Sequence, residues 1–127
     1  MSVVLDASAA LDLALGLKPR LALQLVGEDL HVPMTFDVEV ASALRRLELS
    51  RVLPTAQVDA AKARVSSVAV ARHAPVPHLL DACWEWRHNI TLQDGVYVAL
   101  AHLLRAPLAT TDDRLARAAG DLIKLIQ

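Results

Sequence analysis

Val3-Val4-Leu5-Asp6-Ala7-Ser8 sets a short apolar run directly before a carboxylate and a hydroxyl. Such a run reads as a brief buried strand. Ser8 then caps a helix over 9–15, which Gly16 ends. The strand-then-helix unit repeats along the chain. Pro19 opens a helix over 19–26, Gly27 breaks it, and 30–32 form the next strand. Thr35 caps a helix reaching 49, with Val40, Ala43, Leu44 and Leu47 at core-facing spacing. Pro54 and Thr55 restart a helix to 68. The stretch 71–77, with Pro75 and Pro77, reads as an exposed connection. Helices over 77–88 and 92–105 follow, the second apolar nearly all round and so expected to be the most buried. A strand over 107–110, a helix over 113–119 and a last strand over 122–126 complete the order. This alternation predicts an α/β fold, a small parallel sheet flanked by helices in an α/β/α arrangement with right-handed crossovers.

Length and composition narrow the function. The 127 residues fit one domain, 1–127. The apolar fraction of 54% supplies a core, whereas an aromatic fraction of 3% disfavours bases stacked on a ring platform. The longest apolar run of the central helix, 96–101, is far short of the roughly 18 residues of a membrane span. The start lacks the basic, uninterrupted apolar pattern of a secretory signal, so an uncleaved, cytoplasmic protein is expected. Cys83 is the only cysteine, which excludes an internal disulfide and a thiolate zinc cluster. It is expected to pack in its helix; Trp84 and Trp86 are candidates for a partner surface, with core burial as the default reading for both.

Four carboxylates stand at strand exits or helix entries: Asp6, Glu39, Asp94 and Asp112. In a parallel α/β sheet these positions meet at the carboxyl edge, where such folds place their sites. Each has a plainer reading. Thr91-Leu92-Gln93-Asp94 matches a capping box, Asp6 and Asp113 suit helix starts, and Glu39 suits a solvated first turn. Together they point further, because like charges 4 Å apart at an effective dielectric of 20 repel by roughly 4 kcal/mol. A nest of this kind persists only when protons or a cation neutralise it.

Oxygen-only ligands select a hard ion, Mg²⁺ or Mn²⁺, over zinc. His31, His73, His78, His88 and His102 show no paired-ligand spacing. Such an ion would activate a water and offset charge on a phosphodiester. The net charge of −1 argues at first against a polyanion partner, but setting the four acids aside leaves the basic residues in excess. Ten of the thirteen cations are Arg, whose planar fork suits phosphate.

These residues resemble the PIN-domain ribonucleases, in particular the VapC toxins of bacterial toxin–antitoxin pairs. The likeness is carried by Val4-Leu5-Asp6-Ala7-Ser8, by Glu39 before Ala43-Leu44, by Asp94-Gly95-Val96-Tyr97-Val98-Ala99-Leu100-Ala101, and by Leu108-Ala109-Thr110-Thr111-Asp112 before Arg114-Leu115. It implies a metal-dependent endoribonuclease in which Asp6, Glu39, Asp94 and Asp112 hold Mg²⁺ or Mn²⁺, with Ser8 and Thr110 as polar support and Asp113 as a helix-start residue that could assist a second ion. It further implies RNA products with 5′-phosphate and 3′-hydroxyl ends, a cognate VapB-type antitoxin, and a homodimer. Gly95 stands where Ala is commoner in such toxins, and Gln93 where an aromatic residue often precedes the Asp.

Other residues carry less. Arg46, seven positions after Glu39, shares its helix stripe with Ser42 and is a candidate for a substrate phosphate; a solvated arginine is the plainer reading. Arg114 and Arg117 stand in the same position. Tyr97 reads as packed near Asp94 rather than as a catalyst. The four glycines form no phosphate-cradling loop, which removes nucleotide-binding readings. The alternative to an enzyme is a noncatalytic PIN-like module that binds protein or RNA, with its acids serving as helix caps.

Overall fold

The computed structural model describes residues 1–74 and 76–127. Five strands and seven helices alternate: β1 (Ser2–Leu5), α1 (Ala7–Ala14), α2 (Pro19–Gln24), β2 (Asp29–Pro33), α3 (Phe36–Leu49), α4 (Thr55–Ser67), β3 (Ala71–His73), α5 (Pro77–Glu85), α6 (Leu92–Leu104), β4 (Leu108–Ala109), α7 (Asp113–Ala119) and β5 (Leu125–Ile126). All strands are parallel, in the order β3-β2-β1-β4-β5. The expected α/β architecture is the one observed.

β1 lies at the centre because Val3, Val4 and Leu5 are buried on both faces, as a parallel strand between helical layers requires. Its neighbours are β2, registered Val4 to His31, and β4, registered Leu5 to Ala109. The chain runs outward from β1 through β2 to β3, then returns to β4 on the other side. That reversal opens a crevice between the carboxyl ends of β1 and β4.

The helix α6 packs on β1, β2 and β4, and Gly95 to Ala101 are buried without a break, as its apolar circumference predicts. Close packing of α5 on α6 depends on Gly95. A Cβ placed there would stand 3.3 Å from the Cβ of Cys83, which explains glycine at this position. Cys83 is buried, as expected, and its thiol donates to the Leu79 carbonyl at 3.2 Å.

Several expectations need correction. Residues 71–73 form the edge strand β3 rather than an exposed connection. They pair with β2, with Pro33 opposite His73, and carried no apolar signal because the strand is largely solvated. Pro75, one of the two prolines read as marking the connection, lies outside the described residues, while Pro77 begins α5. Arg72 adds a fork to Asp37 in the first turn of α3, at 2.7 and 2.9 Å. The cap of α1 is Asp6, which accepts from the Ala9 N–H; Ser8 instead lies within the helix. Trp84 is not in the core: it is 56% exposed, with the Arg87 guanidinium over its ring. Trp86 is half-buried against His102. The two histidines His31 and His73, on neighbouring strands, hydrogen-bond at 2.9 Å, a pairing that sequence spacing did not reveal. No helix among the described residues is long and apolar enough to cross a membrane.

Candidate active site

Asp6 leaves β1 at the crevice and Thr110 leaves β4 beside it, brought level by the Asp6 N–H bonding to the Ala109 carbonyl at 3.1 Å. Asp6 is 3% exposed and Thr110 fully buried. One oxygen of Asp6, Oδ1, accepts from the Ser8 hydroxyl and from the Ala9 N–H, both at 2.8 Å. Burial raises the Asp6 carboxyl above its ordinary range; the Thr110 hydroxyl, the Ala9 N–H and the Ser8 hydroxyl oppose that rise, and the charge of Asp112 adds to it. Ser8 also accepts from the Thr111 N–H at 3.3 Å, so one hydroxyl ties the β1 exit to the β4 exit.

Asp112 caps α7. Its Oδ1 accepts from the N–H groups of Arg114 and Leu115 at 3.0 and 3.1 Å, and its own N–H donates to the Thr110 hydroxyl at 3.1 Å. Asp94 sits in the first turn of α6, where its N–H donates to the Thr91 hydroxyl at 3.2 Å. Burial raises its carboxyl, opposed by Thr91 and Arg114 and reinforced by Asp112. Capping thus holds the Asp6 and Asp112 carboxylates at the crevice, while at Asp94 the Thr91 cap fixes the backbone.

Glu39 enters from the first turn of α3. Its carboxyl is raised by burial, opposed by the hydroxyls of Tyr97 and Thr35, and raised further by the charges of Asp94 and Asp6. Tyr97 donates to Glu39 Oε2 at 3.1 Å, while Oε1 is buried with no hydrogen-bond partner. Burial and the facing Glu39 carboxylate push the Tyr97 phenol far above its ordinary range, which keeps it a donor.

The structure thus brings Asp6, Glu39, Asp94 and Asp112 to one edge, close enough that the Asp112 charge raises the Asp6 and Asp94 carboxyls and the charges of Asp94 and Asp6 raise that of Glu39, with Ser8 and Thr110 beside Asp6. They are not drawn into contact: among the described residues, no three His, Cys, Asp or Glu side chains form a ready cage for a metal ion. The donor set nevertheless fits a hard divalent cation. All four groups are carboxylates, three are raised by desolvation, and a buried carboxylate oxygen without a partner is the kind of atom that a cation satisfies. Asp113 is exposed at the start of α7. Arg46 is exposed in the last turn of α3, about 10 Å beyond Glu39 along the helix axis at 1.5 Å per residue. Arg114, read from sequence as a candidate for a substrate phosphate with a solvated arginine as the plainer reading, stands near enough to Asp94 to oppose its rise. The signal for it was the short step from Asp112 to Arg114, which places both at one helix start.

This chain belongs to the PIN-domain family, whose sequence pattern matches residues 3–121. Within the family it is VapC-like: it is 41% identical to Ribonuclease VapC3 of Mycobacterium tuberculosis over 119 residues, 91% of this chain and 86% of that one. Its fold is similar to that of PAE2754 from Pyrobaculum aerophilum, with a TM-score of 0.71 and 23% identity over 98% of this chain and 83% of that chain. It is also similar to a chain of VapBC2 from Rickettsia felis, a complex bound to a promoter DNA fragment, with a TM-score of 0.68 and 12% identity over 99% and 98% of the two chains.

Proposed function

We propose that the chain is a Mg²⁺- or Mn²⁺-dependent endoribonuclease acting as the toxin of a toxin–antitoxin pair. The observation that carries this reading is the convergence of four carboxylates on the β1–β4 crevice, one of them with a buried oxygen lacking any partner. The likeness to Ribonuclease VapC3 supports RNA as the substrate.

Asp6, Glu39, Asp94 and Asp112 would hold the cation, which supplies a water acidified enough to attack a phosphodiester and offsets the charge that grows on it. The protein's own work is positioning. The Ser8 hydroxyl and the Ala9 N–H fix the Asp6 carboxylate through Oδ1, and the Thr110 hydroxyl stands beside it. Tyr97 fixes Glu39 by Oε2, while Oε1 is buried without a hydrogen-bond partner. The α7 N–H groups fix Asp112 by Oδ1. With the acids pre-set, substrate binding need not order them, which is how a rigid site lowers a barrier. Attack of that water on the phosphorus, with the P–O3′ bond breaking and the 3′-oxygen leaving as a hydroxyl, would give 5′-phosphate and 3′-hydroxyl ends, the outcome that the family likeness implies.

A VapB-type antitoxin is the proposed partner, supported by the VapBC2 assembly to which the fold is similar. A basic side chain from that partner would satisfy the acidic edge and block RNA. A homodimer is also proposed; Leu80 and Trp84, exposed one turn apart on α5, give a second copy an apolar strip. The acids could instead serve only as caps in a noncatalytic module, but a cap does not require the buried, unpartnered oxygen of Glu39.

The test is cleavage of RNA by partner-free protein in Mg²⁺, Mn²⁺ or EDTA, with Asp6→Asn beside the wild type. Cleavage that needs the ion and is lost in Asp6→Asn supports the reading. Equal activity in the two proteins, or none in either ion, refutes it.

A further inference from the structure

Next to the acidic edge lies a small pocket of about 130 Å³, between the turn that follows α5 and the first two turns of α7. Ile90 and Leu115, each 4% exposed, give it an apolar floor. Its rim is polar: Asn89 and Thr91 stand on one side, Arg114 on the other, and Asp94 joins the pocket to the crevice.

The backbone of Arg114 is fixed by its N–H bond to Asp112 at 3.0 Å. Its guanidinium has no hydrogen-bond or ion-pair partner among the described residues. Three of the other arginines are occupied: Arg72 forks onto Asp37, Arg64 donates to the Ala14 carbonyl, and Arg87 donates to the Trp84 carbonyl; what sets Arg114 apart is a free guanidinium on the wall of this pocket. Arg114 therefore presents a set of free planar donors from an anchored Cα, beside a carboxylate that it does not touch. A guanidinium in that setting selects a phosphate oxygen pair. No aromatic ring lines the pocket, so a base has no face to stack on. What the rim offers is suited to a sugar: the Asn89 amide, with no partner among the described residues, and the Thr91 hydroxyl, whose oxygen already accepts from Asp94 and whose hydrogen is left to donate.

We propose that this pocket is a ribose-phosphate subsite for the nucleotide next to the scissile bond, with Arg114 on its phosphate and Asn89 and Thr91 on its ribose 2′-hydroxyl. The assignment rests on the endoribonuclease reading and extends it: the pocket reads the RNA backbone, so it contributes affinity and preference for RNA over DNA without choosing a base. Arg114 is a positioning residue here, because it holds the strand that the carboxylates act on.

The experiment measures binding of a short fluorescein-labelled single-stranded RNA, and of DNA of the same sequence, by anisotropy across a salt series. Asp6→Asn protein is used throughout so that nothing is cut, and cleavage by the unmodified protein is followed in parallel. Adding Arg114→Gln is expected to weaken RNA binding about tenfold, as loss of a charged hydrogen-bond pair does. It should also reduce the slope of log affinity against log salt by about 0.7, the value of one single-strand phosphate contact. In the cleaving protein, Arg114→Gln should raise KM with kcat nearly unchanged. Asn89→Ala should narrow the preference for RNA over DNA. Arg20→Gln, on α2 and outside the pocket, should leave affinity and slope as they were. Unchanged affinity and slope in Arg114→Gln, or an equal loss in Arg20→Gln, overturns the subsite while RNA cleavage by the unmodified protein keeps the nuclease reading. Absence of both RNA binding and cleavage overturns that reading and the subsite with it.

Discussion

The Tyr97 hydroxyl, from α6, donates to Oε2 of Glu39, from α3, at 3.1 Å, and this bond orients the carboxylate of the acidic edge whose other oxygen is buried without a hydrogen-bond partner. Two helices far apart in sequence are thereby locked at the crevice. Removing the hydroxyl in Tyr97→Phe frees the Glu39 rotamer and takes away a group that holds its carboxyl down. Urea unfolding should show a loss of about 1 kcal/mol, the usual net value of one such bond. In EDTA, NMR titration should show Glu39 gaining its proton at higher pH than in the wild type.

The carboxyls of Asp6, Glu39 and Asp94 are all raised, chiefly by burial. A carboxyl whose native value exceeds its unfolded value binds protons better when folded, so its contribution to stability is full below the unfolded value and is lost as pH rises through the native one. At neutral pH the ionised edge thus costs stability. In EDTA, Glu39→Gln and Asp94→Asn should melt above the wild type near pH 7, and the gap should close as pH falls below about 4, near the unfolded values. Mg²⁺ should raise the wild-type melting temperature and leave Asp94→Asn nearly unmoved. A wild type that melts above both variants in EDTA would contradict this.

His73 is held below the ordinary imidazole value by burial first and by the charge of His31 second. A base depressed in the folded state binds its proton better when unfolded, so stability falls as pH drops from about 6.5 through the lower native value. The 2.9 Å bond between the two rings needs one neutral acceptor nitrogen, which double protonation removes. Thermal melts from pH 7.5 to 5.5 should therefore fall less steeply for His73→Gln than for the wild type, and identical slopes would refute the effect.

At Gly95, any larger side chain must displace Cys83, whose Cβ would be 3.3 Å from the new atom. Gly95→Val is expected to lose about 1–3 kcal/mol in urea unfolding through overpacking between α5 and α6. Retained stability would mean that the two helices slide apart freely.

How far the sequence predicts this molecule depends on whether a feature is written locally. Residues 3–5, 92–104 and 108–109 were legible as elements because their apolar runs are continuous and their ends carry caps. Placing the four acids at strand exits and helix entries was enough to put them on one edge, since parallel topology does the rest. β3 was not legible, because an exposed edge strand needs no hydrophobic alternation and owes its pairing to β2, some forty residues earlier. Asp6 rather than Ser8 became the cap of α1 because the helix begins two residues sooner than its apolar period shows. The exposure of Trp84 was hidden because an indole on a helix gives no sign of which way its helix faces. The Arg114 pocket depends on α7 lying beside the turn at 89–91, a relation between segments that no local pattern records.

The outermost strands, β3 and β5, are three and two residues long, and β3 is tied by Arg72 to α3. Unsatisfied backbone at a sheet border invites neighbouring molecules to add themselves strand by strand, and such short borders leave little template for them. A chain that is more than half apolar is thereby guarded against polymerising through its sheet, so any association between copies is left to side-chain surfaces, where a partner can compete for them.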